Sequence, residues 1–440
     1  LLQGRPPSAD AALLRQAGHA GSLAQWLADS LAIDGQAAIR DWSAAAAAQL
    51  PAGFPAQWAE LNGLAYACPT GVSLVRGGQP ERLPVDPTDH GLPPAAVSPD
   101  GHWLALVDAD GTTLTVLELS ETAARVSQVV KIPGRQSWPL GWMPDGQLLV
   151  AHVPAIQFLF GSEHQFDLLK PENGEITHLG SLTMLPQNWL VEQPAIHSRL
   201  AINIAEQSDH PADPVIRPAV LDFGLPLQPQ IAGDPGLSQS LSPDGRWLAY
   251  LPARVASASQ PWPPAHITLF DTLTQQSVQV LISESVVDGR LLHNPTSLTW
   301  LPDGSGLAFI VSTGDADTLL MRLTLDLANP TAGADVRVIP TSVSIATIAG
   351  ISSDSRYLAV AVPAILPVEL LVLDLTTDQI AARAALAAGA RLGAAWSLTG
   401  HQLAVQGPSG LYVIDPATNE QQWIANGNCQ PAWYNLSPHP

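Results

Sequence analysis

The chain has 440 residues, of which 46% are hydrophobic and 13% charged, and it carries a formal net charge of −20 at pH 7. Such a composition supports a large core and excludes a disordered polymer. The acidic balance, with Lys131 and Lys170 as the two lysines, argues against nucleic-acid backbones and anionic membranes as partners, because no basic surface is available to displace their counterions.

No apolar run is long enough to cross a bilayer. Low charge and scarce lysine fit an exported protein. The chain begins at Leu1 rather than Met, so a segment upstream of it, such as a signal sequence or an anchor, is expected.

Residues 1–55 show no β pattern. Ser8 can cap a helix that places Leu13, Ala17, Ala20, Ala24, Leu27 and Leu31 at helical spacing. Asp34 can cap a second helix through Ile39 and Trp42, which Pro51 stops. This N-terminal helical segment is expected to be a cap on the following domain or a docking arm.

From residue 56 to 440 one string recurs. "VSPDGHWLAL" from Val97 returns as "LSPDGRWLAY" from Leu241, "WLPDGSGLAF" from Trp300 and "ISSDSRYLAV" from Ile351. Eight units can be anchored on it, at Trp58, Val97, Trp142, Trp189, Leu241, Trp300, Ile351 and Trp396, about 40 to 60 residues apart, a propeller-like period. Each unit has a short polar first strand, a Pro-Asp-Gly turn, two strands apolar on both faces, and a more polar fourth strand suited to an outer edge. The unit at Trp189 lacks the turn motif and rests on "RLAINIAEQ" and "RPAVLDFG". The reading is all-β, an eight-bladed propeller of four-stranded antiparallel blades, with seven blades as the alternative if the Trp189 unit is an insertion.

The turn motif, followed by a V-x-D-[LP]-x-[TS] strand, resembles TolB-type Pro-Asp propeller repeats, which also build the propeller of prolyl-oligopeptidase-like enzymes. The resemblance covers residues 56–440 and implies fold rather than activity, since the family hosts many roles.

The C-terminal "NCQPAWYNLSPHP" contains a first strand with no second strand after it. It completes the first blade if Trp433 lies opposite Leu64 or Ala65, closing the ring near residues 430–435. Antiparallel pairing then sets Cys429 opposite Cys68, so a Cys68–Cys429 disulfide is expected. Trp58 competes with Trp433 for the same inner position.

No G-x-S-x-G elbow, H-E-x-x-H, P-loop or paired C-x-x-C occurs. The presumptive channel strands hold no histidine, which disfavours a channel metal. "DADG" from Asp108 and "GDADT" around Asp315 lack the later bidentate Glu of a calcium loop. No catalytic residue, metal ligand or cofactor is therefore assigned. Weak candidates for a channel-mouth site are His152, Glu163, His164, Glu192 and Asp209, and a ligand could meet Trp142, Trp300 or Trp396, although tryptophan there more often packs between blades.

Long connections between second and third strands stand out, from Val153, Glu206, Leu251 and Val362. Topology puts them on one face, where Phe158, Leu159, Phe160, Trp262, Ile365 and Leu366 form the expected partner-binding surface. The functional expectation is a non-enzymatic, extracytoplasmic scaffold that binds a protein partner. The alternative is an enzyme, or a glycan or small-ligand binder, with its site at the channel mouth.

Overall fold

The computed structural model describes residues 61–433 apart from 69, 77–78, 86–89, 92–96, 99, 109–110, 120–123, 155–161, 185–197, 207–214, 224–226, 253–265, 282–285, 288–289, 292, 313–317, 329, 331–334, 342–344, 346, 363–367, 387–393 and 428. The chain divides into two compact units, Leu1–Ala56 and Gln57–Pro440. The first, with both expected helices, lies outside the described residues, as does Trp58.

The described strands build an eight-bladed, antiparallel propeller. Blade 1 consists of Leu64–Cys68, Gly71–Arg76 and Gln79–Arg82, with Gln430–Trp433 as its inner strand. Blade 2 runs through His90–Gly91, Trp103–Asp108, Leu114–Leu119 and Ala124–Val130, and blade 3 through Arg135–Trp142, Leu148–Pro154, Ser162–Leu169 and Ile176–Met184. Blade 4 contributes Arg199–Glu206, Val215–Asp222 and Gln228–Ile231. Blade 5 follows with Gly236–Leu241, Trp247–Pro252, His266–Asp271 and Gln276–Leu281, and blade 6 with His293–Trp300, Gly306–Ser312, Thr318–Thr324 and Asp335–Ile339. Blade 7 is Thr347–Ile351, Tyr357–Val362, Glu369–Asp374 and Gln379–Ala385, and blade 8 is Ala394–Trp396, Leu403–Gln406, Gly410–Asp415 and Glu420–Asn426.

The weak unit around Trp189 is thus a blade and the seven-bladed alternative falls. Its inner-strand segment lies outside the described residues. A single cross-strand pair, Met184 with Ile204, joins the outer strand of blade 3 to blade 4, so their seven described strands form one sheet.

The recurrent turn has a hydrogen-bonding reason beyond the backbone freedom of Gly. In blade 5 the Ser242 hydroxyl donates to Asp244 and accepts the Trp247 N–H at 2.8 Å, while the Asp244 carboxylate accepts the Arg246 N–H at 3.0 Å. Blades 2 and 7 repeat this with Ser98 and Asp100, and with Ser352 and Asp354. Serine and aspartate together satisfy the donors left by a tight reversal. Gly245 has φ 70°, and in blade 7 Ser355 takes the equivalent place at φ 59°, a left-handed conformation in which a serine carries strain.

Ring closure follows the expected register. Leu64 lies opposite Trp433 and Ala67 opposite Gln430, and Cys68 and Cys429 form the disulfide across a sequence separation of 361. The C-terminal strand, not a strand at Trp58, is therefore the inner strand of blade 1.

Between blades the core is apolar. Leu307, Phe309, Met321 and Leu323 of blade 6 pack on Trp247, Ala249, Ile267 and Leu269 of blade 5, each such side chain contributing about 2 kcal/mol when fully buried. The tryptophans serve this packing. Trp300 is 5% exposed and donates its Nε1–H to the Ser240 carbonyl of blade 5 at 2.9 Å. Trp396 stacks on Tyr357 of blade 7 with ring centroids 6.1 Å apart.

Candidate functional site

Strand direction alternates within a blade, so the first and last turns of each blade emerge on one face. The connections between second and third strands emerge on the other, with those that lead to the next blade. The longest of these middle connections run from Pro154 to Ser162, Glu206 to Val215, Pro252 to His266 and Val362 to Glu369, whereas blade 1 needs only Cys68 to Gly71. Blades 3, 4, 5 and 7 therefore send their long connections to one face. The expected contact residues Phe158, Leu159, Phe160, Trp262, Ile365 and Leu366 lie outside the described residues, as do Glu192 and Asp209.

The base of the blade 3 connection is described, and it brings three of the channel-mouth candidates close in the sheet. Arg135, at the start of the inner strand, donates to the His152 carbonyl at 3.1 Å and the Glu163 carbonyl at 3.4 Å. Its Nη2 also lies 3.6 Å from the Glu163 carboxylate. One guanidinium so ties the two strands that carry the connection.

The two histidines do not converge on the propeller axis. His152 shares a strand face with Leu148 and Val150, which pack against Ala105 and Val107 of blade 2. His164 shares the opposite face with Phe166, which packs against Leu200 and Ile202 of blade 4. Both rings are 1% exposed. For His152 and His164 this corrects their candidacy for a shared channel-mouth site: alternation along the strands turns the pair into two different blade interfaces.

On the blade 2 side a hydrogen-bonded chain crosses all four strands of blade 3. The Ser137 hydroxyl on the inner strand lies 2.9 Å from His152 Nδ1 on the second, and His152 Nε2 lies 3.2 Å from Asp167 Oδ2 on the third. His178 Nδ1 on the outer strand reaches Asp167 Oδ1 at 2.8 Å, and the Gln165 amide bonds both carboxylate oxygens. Burial alone raises the Asp167 pKa, yet the hydrogen bonds from His152, His178 and Gln165 outweigh it and hold the carboxyl below its usual range. On the other face, burial and the neighbouring Arg135 charge push His164 down to about 4, so it is neutral at pH 7.

Ser137, His152 and Asp167 copy the hydrogen-bond order of a nucleophile, base and orienting acid. In the neutral imidazole, Nε2–H donates to Asp167 and Nδ1 accepts the Ser137 hydroxyl. Access decides against acyl transfer in this conformation. Ser137 is 0% exposed and Asp167 2%, so no carbonyl can approach the hydroxyl. The chain acts instead as a polar lock across the blade, satisfying groups that would otherwise be buried unpaired. Among the described residues no group of three or more His, Cys, Asp or Glu is placed to hold a metal ion.

Of this lock the sequence had singled out only His152. Ser137 and Asp167 were missed because each reads as an ordinary alternate polar position. The available signal was polar residues at matched positions of consecutive strands, His152, Gln165, Asp167 and His178, in a blade otherwise rich in apolar residues.

Comparison with known proteins matches no family model and no curated protein sequence. Solved structures share the fold at low identity. Dihydro-heme d1 dehydrogenase NirN in complex with DHE is 19% identical, with a TM-score of 0.51, over 88% of this chain and 78% of its own. A eukaryotic initiation factor is 14% identical, with a TM-score of 0.50, over 84% of this chain and 98% of its own. TolB from Acinetobacter baumannii is 13% identical, with a TM-score of 0.35, over 76% of this chain and 82% of its own. The first two likenesses are of fold alone, and the third is too slight to carry an argument.

Proposed function

We propose that the protein is a non-enzymatic interaction scaffold in an extracytoplasmic compartment, engaging a protein partner through the face that bears the long connections. The observation that carries this reading is topological. Four blades place long connections between their second and third strands on one face, while on the opposite face the first turns of blades 2, 3, 5, 6, 7 and 8 are short and closed by their own backbone hydrogen bonds. Binding residues concentrate on loops held by a rigid frame, and a propeller with its ends joined is such a frame. The disulfide favours an oxidising compartment, and no described helix is long and apolar enough to cross a membrane.

Ser137, His152 and Asp167 are closed in between blades and offer that face no reactive group. The contacts would be made by Phe158, Phe160 and Trp262, with Leu159, Ile365 and Leu366 around them.

The test is isolation of the native protein under mild conditions, with mass spectrometry of what accompanies it. A stoichiometric partner lost on changing Phe158, Phe160 and Trp262 to Ser, in a protein that still melts as the parent does, is the expected result. Recovery without any partner, or retention of the partner by the triple variant, overturns the reading.

A further inference from the structure

The outer strand of a blade leaves one side of its backbone unpaired, and an unblocked edge of this kind accepts a further strand. Among the described positions, the edges of blades 5, 6, 7 and 8 expose only polar or charged side chains, such as Gln279, Arg337, Arg383 and Glu420. Blade 2 differs. Its outer strand, Ala124–Val130, is terminal in its sheet and exposes Val126 at 44% and Val129 at 60%.

A bulge makes the two valines act together. The register with the third strand shifts, so that Leu117 lies opposite Val126, Val116 opposite Gln128 and Thr115 opposite Val129. Val126 and Val129 therefore share one face of the strand, although ordinary alternation would split residues three positions apart. That face is turned to blade 1, because Leu117 packs with Val72 and Leu74. Blade 1 covers it incompletely. Its own edge strand has four residues against seven, and Glu81 within it accepts the N–H of Ala124, the first residue of the blade 2 edge, at 3.2 Å. On the other side Ser127 donates its hydroxyl to the Pro171 carbonyl of blade 3 at 2.9 Å. The edge is thus anchored to both neighbours, while its valines stay bare.

Charge narrows the occupant. Lys131 follows directly on the strand, is exposed, and pairs with no carboxylate among the described residues. It is one of two lysines in a chain of net charge −20. Arg125, at the other end, is already paired with Glu118. An incoming strand therefore meets two valines on one face and an uncommitted ammonium beyond them, which a carboxylate answers. The same edge of a second copy offers Arg125 and Lys131 and no carboxylate, so it is the poorer occupant. A bulged, twisted edge also disfavours pairing with strands at random.

We propose that the outer edge of blade 2 takes up an extended segment of a protein partner as an added strand, with apolar side chains at alternate positions against Val126 and Val129 and a carboxylate against Lys131. Main-chain hydrogen bonds to the free edge supply the pairing, and the side chains supply the choice of partner. The edge uses none of the residues assigned to the scaffold face, so the two readings stand or fall separately.

The experiment is titration of labelled synthetic peptides with the full chain, read by fluorescence anisotropy and by hydrogen exchange of the protein. The probes alternate Val and Thr and carry a terminal Glu, a terminal Lys, or a terminal Glu with a central Pro. The Glu peptide is expected to bind and to slow exchange of the amides from Arg125 to Lys131. The Lys peptide should bind about fivefold more weakly, and the Pro peptide, which lacks a donor that an added strand needs, should not bind. Val129→Lys, an exposed change of the kind that blocks edges, should weaken binding about tenfold at an unchanged melting temperature. Lys131→Glu should reverse the preference between the Glu and Lys peptides. The variant with Phe158, Phe160 and Trp262 changed to Ser should bind them as the parent does. Failure of every peptide to bind, binding indifferent to Val129→Lys, or protection at another edge overturns the proposal. So does a dimer in sedimentation velocity that Val129→Lys dissolves, which would give the edge to a second copy.

Discussion

The two halves of the ring are held together differently. Blades 5, 7 and 8 are contiguous runs of four strands that repeat one pattern, and blades 5 and 7 add the same ionic clasp. Arg246 pairs with Asp271 at 2.7 Å and Arg356 with Asp374 at 3.0 Å. Each guanidinium also lies over the next aromatic ring, Trp247 at 5.0 Å and Tyr357 at 4.8 Å. Blades 1 to 4 are less regular. Blade 1 borrows its inner strand from the C-terminus, blade 2 has an inner strand of only His90–Gly91, and blades 3 and 4 merge into one sheet. In this half specific bonds supplement a repeat that packs less uniformly: a disulfide in blade 1 and a buried hydrogen-bonded chain in blade 3. Apolar packing tolerates many sequences, whereas a buried polar chain holds only while every member is present.

The largest expected effect breaks the irregular half at its seam. Cys68→Ser with Cys429→Ser, or reduction of the native protein, should lower unfolding stability by up to about 6 kcal/mol, as the chain-entropy relation gives for a sequence separation of 361. Denaturant midpoints with and without reductant measure it. An unchanged midpoint would mean that strand pairing alone closes the ring. Next, Asp167→Ala should cost about 2–3 kcal/mol, because it leaves the buried His152 Nε2–H and the Gln165 amide without their acceptor, while the half-exposed His178 can turn to water, read from the same denaturant curves.

Acid separates the halves further. His164 titrates near 4 in the folded protein against 6.5 unfolded, so between these values the unfolded chain binds the proton more readily. Stability is complete above about pH 6.5 and falls as pH drops towards 4, by up to about 3 kcal/mol. His164→Leu should remove that slope in a pH series of thermal melts. Asp167, held below its unfolded value of 3.8, contributes stability above that value, which is lost only as pH falls beneath it. The smallest effect belongs to the regular half. Arg246 is 41% exposed in its pair, and Arg246→Ala should cost less than about 1 kcal/mol. A loss there as large as that of Asp167→Ala would erase the contrast.

The fold was legible because its signals are local and repeated. A Pro-Asp-Gly reversal bounded by alternating strands needs no distant contact to be read, and "VSPDG", "LSPDG" and "LPDG" each mark the edge of an inner strand. The disulfide was legible for a related reason. Antiparallel pairing fixes register, so placing Trp433 opposite Leu64 also placed Cys429 opposite Cys68. The candidate site was far less legible. His152 and His164 stood out by residue type, but which blade interface each enters depends on strand parity and on which neighbour covers which face. The open edge of blade 2 gave no sequence signal, since Val126 and Val129 stand where any outer strand has apolar residues and only the short edge of the neighbouring blade leaves them bare.

By itself the sequence determined an all-β propeller, the position of its turns and the pairing of its two ends, because turn chemistry and period-two alternation act over a few residues. Only the tertiary structure decided that a serine, a histidine and an aspartate spread over three strands become one buried chain, and that two valines of one edge strand stay uncovered. Burial is a property of the closed ring: a polar side chain costs free energy only once a neighbouring blade has taken its water away.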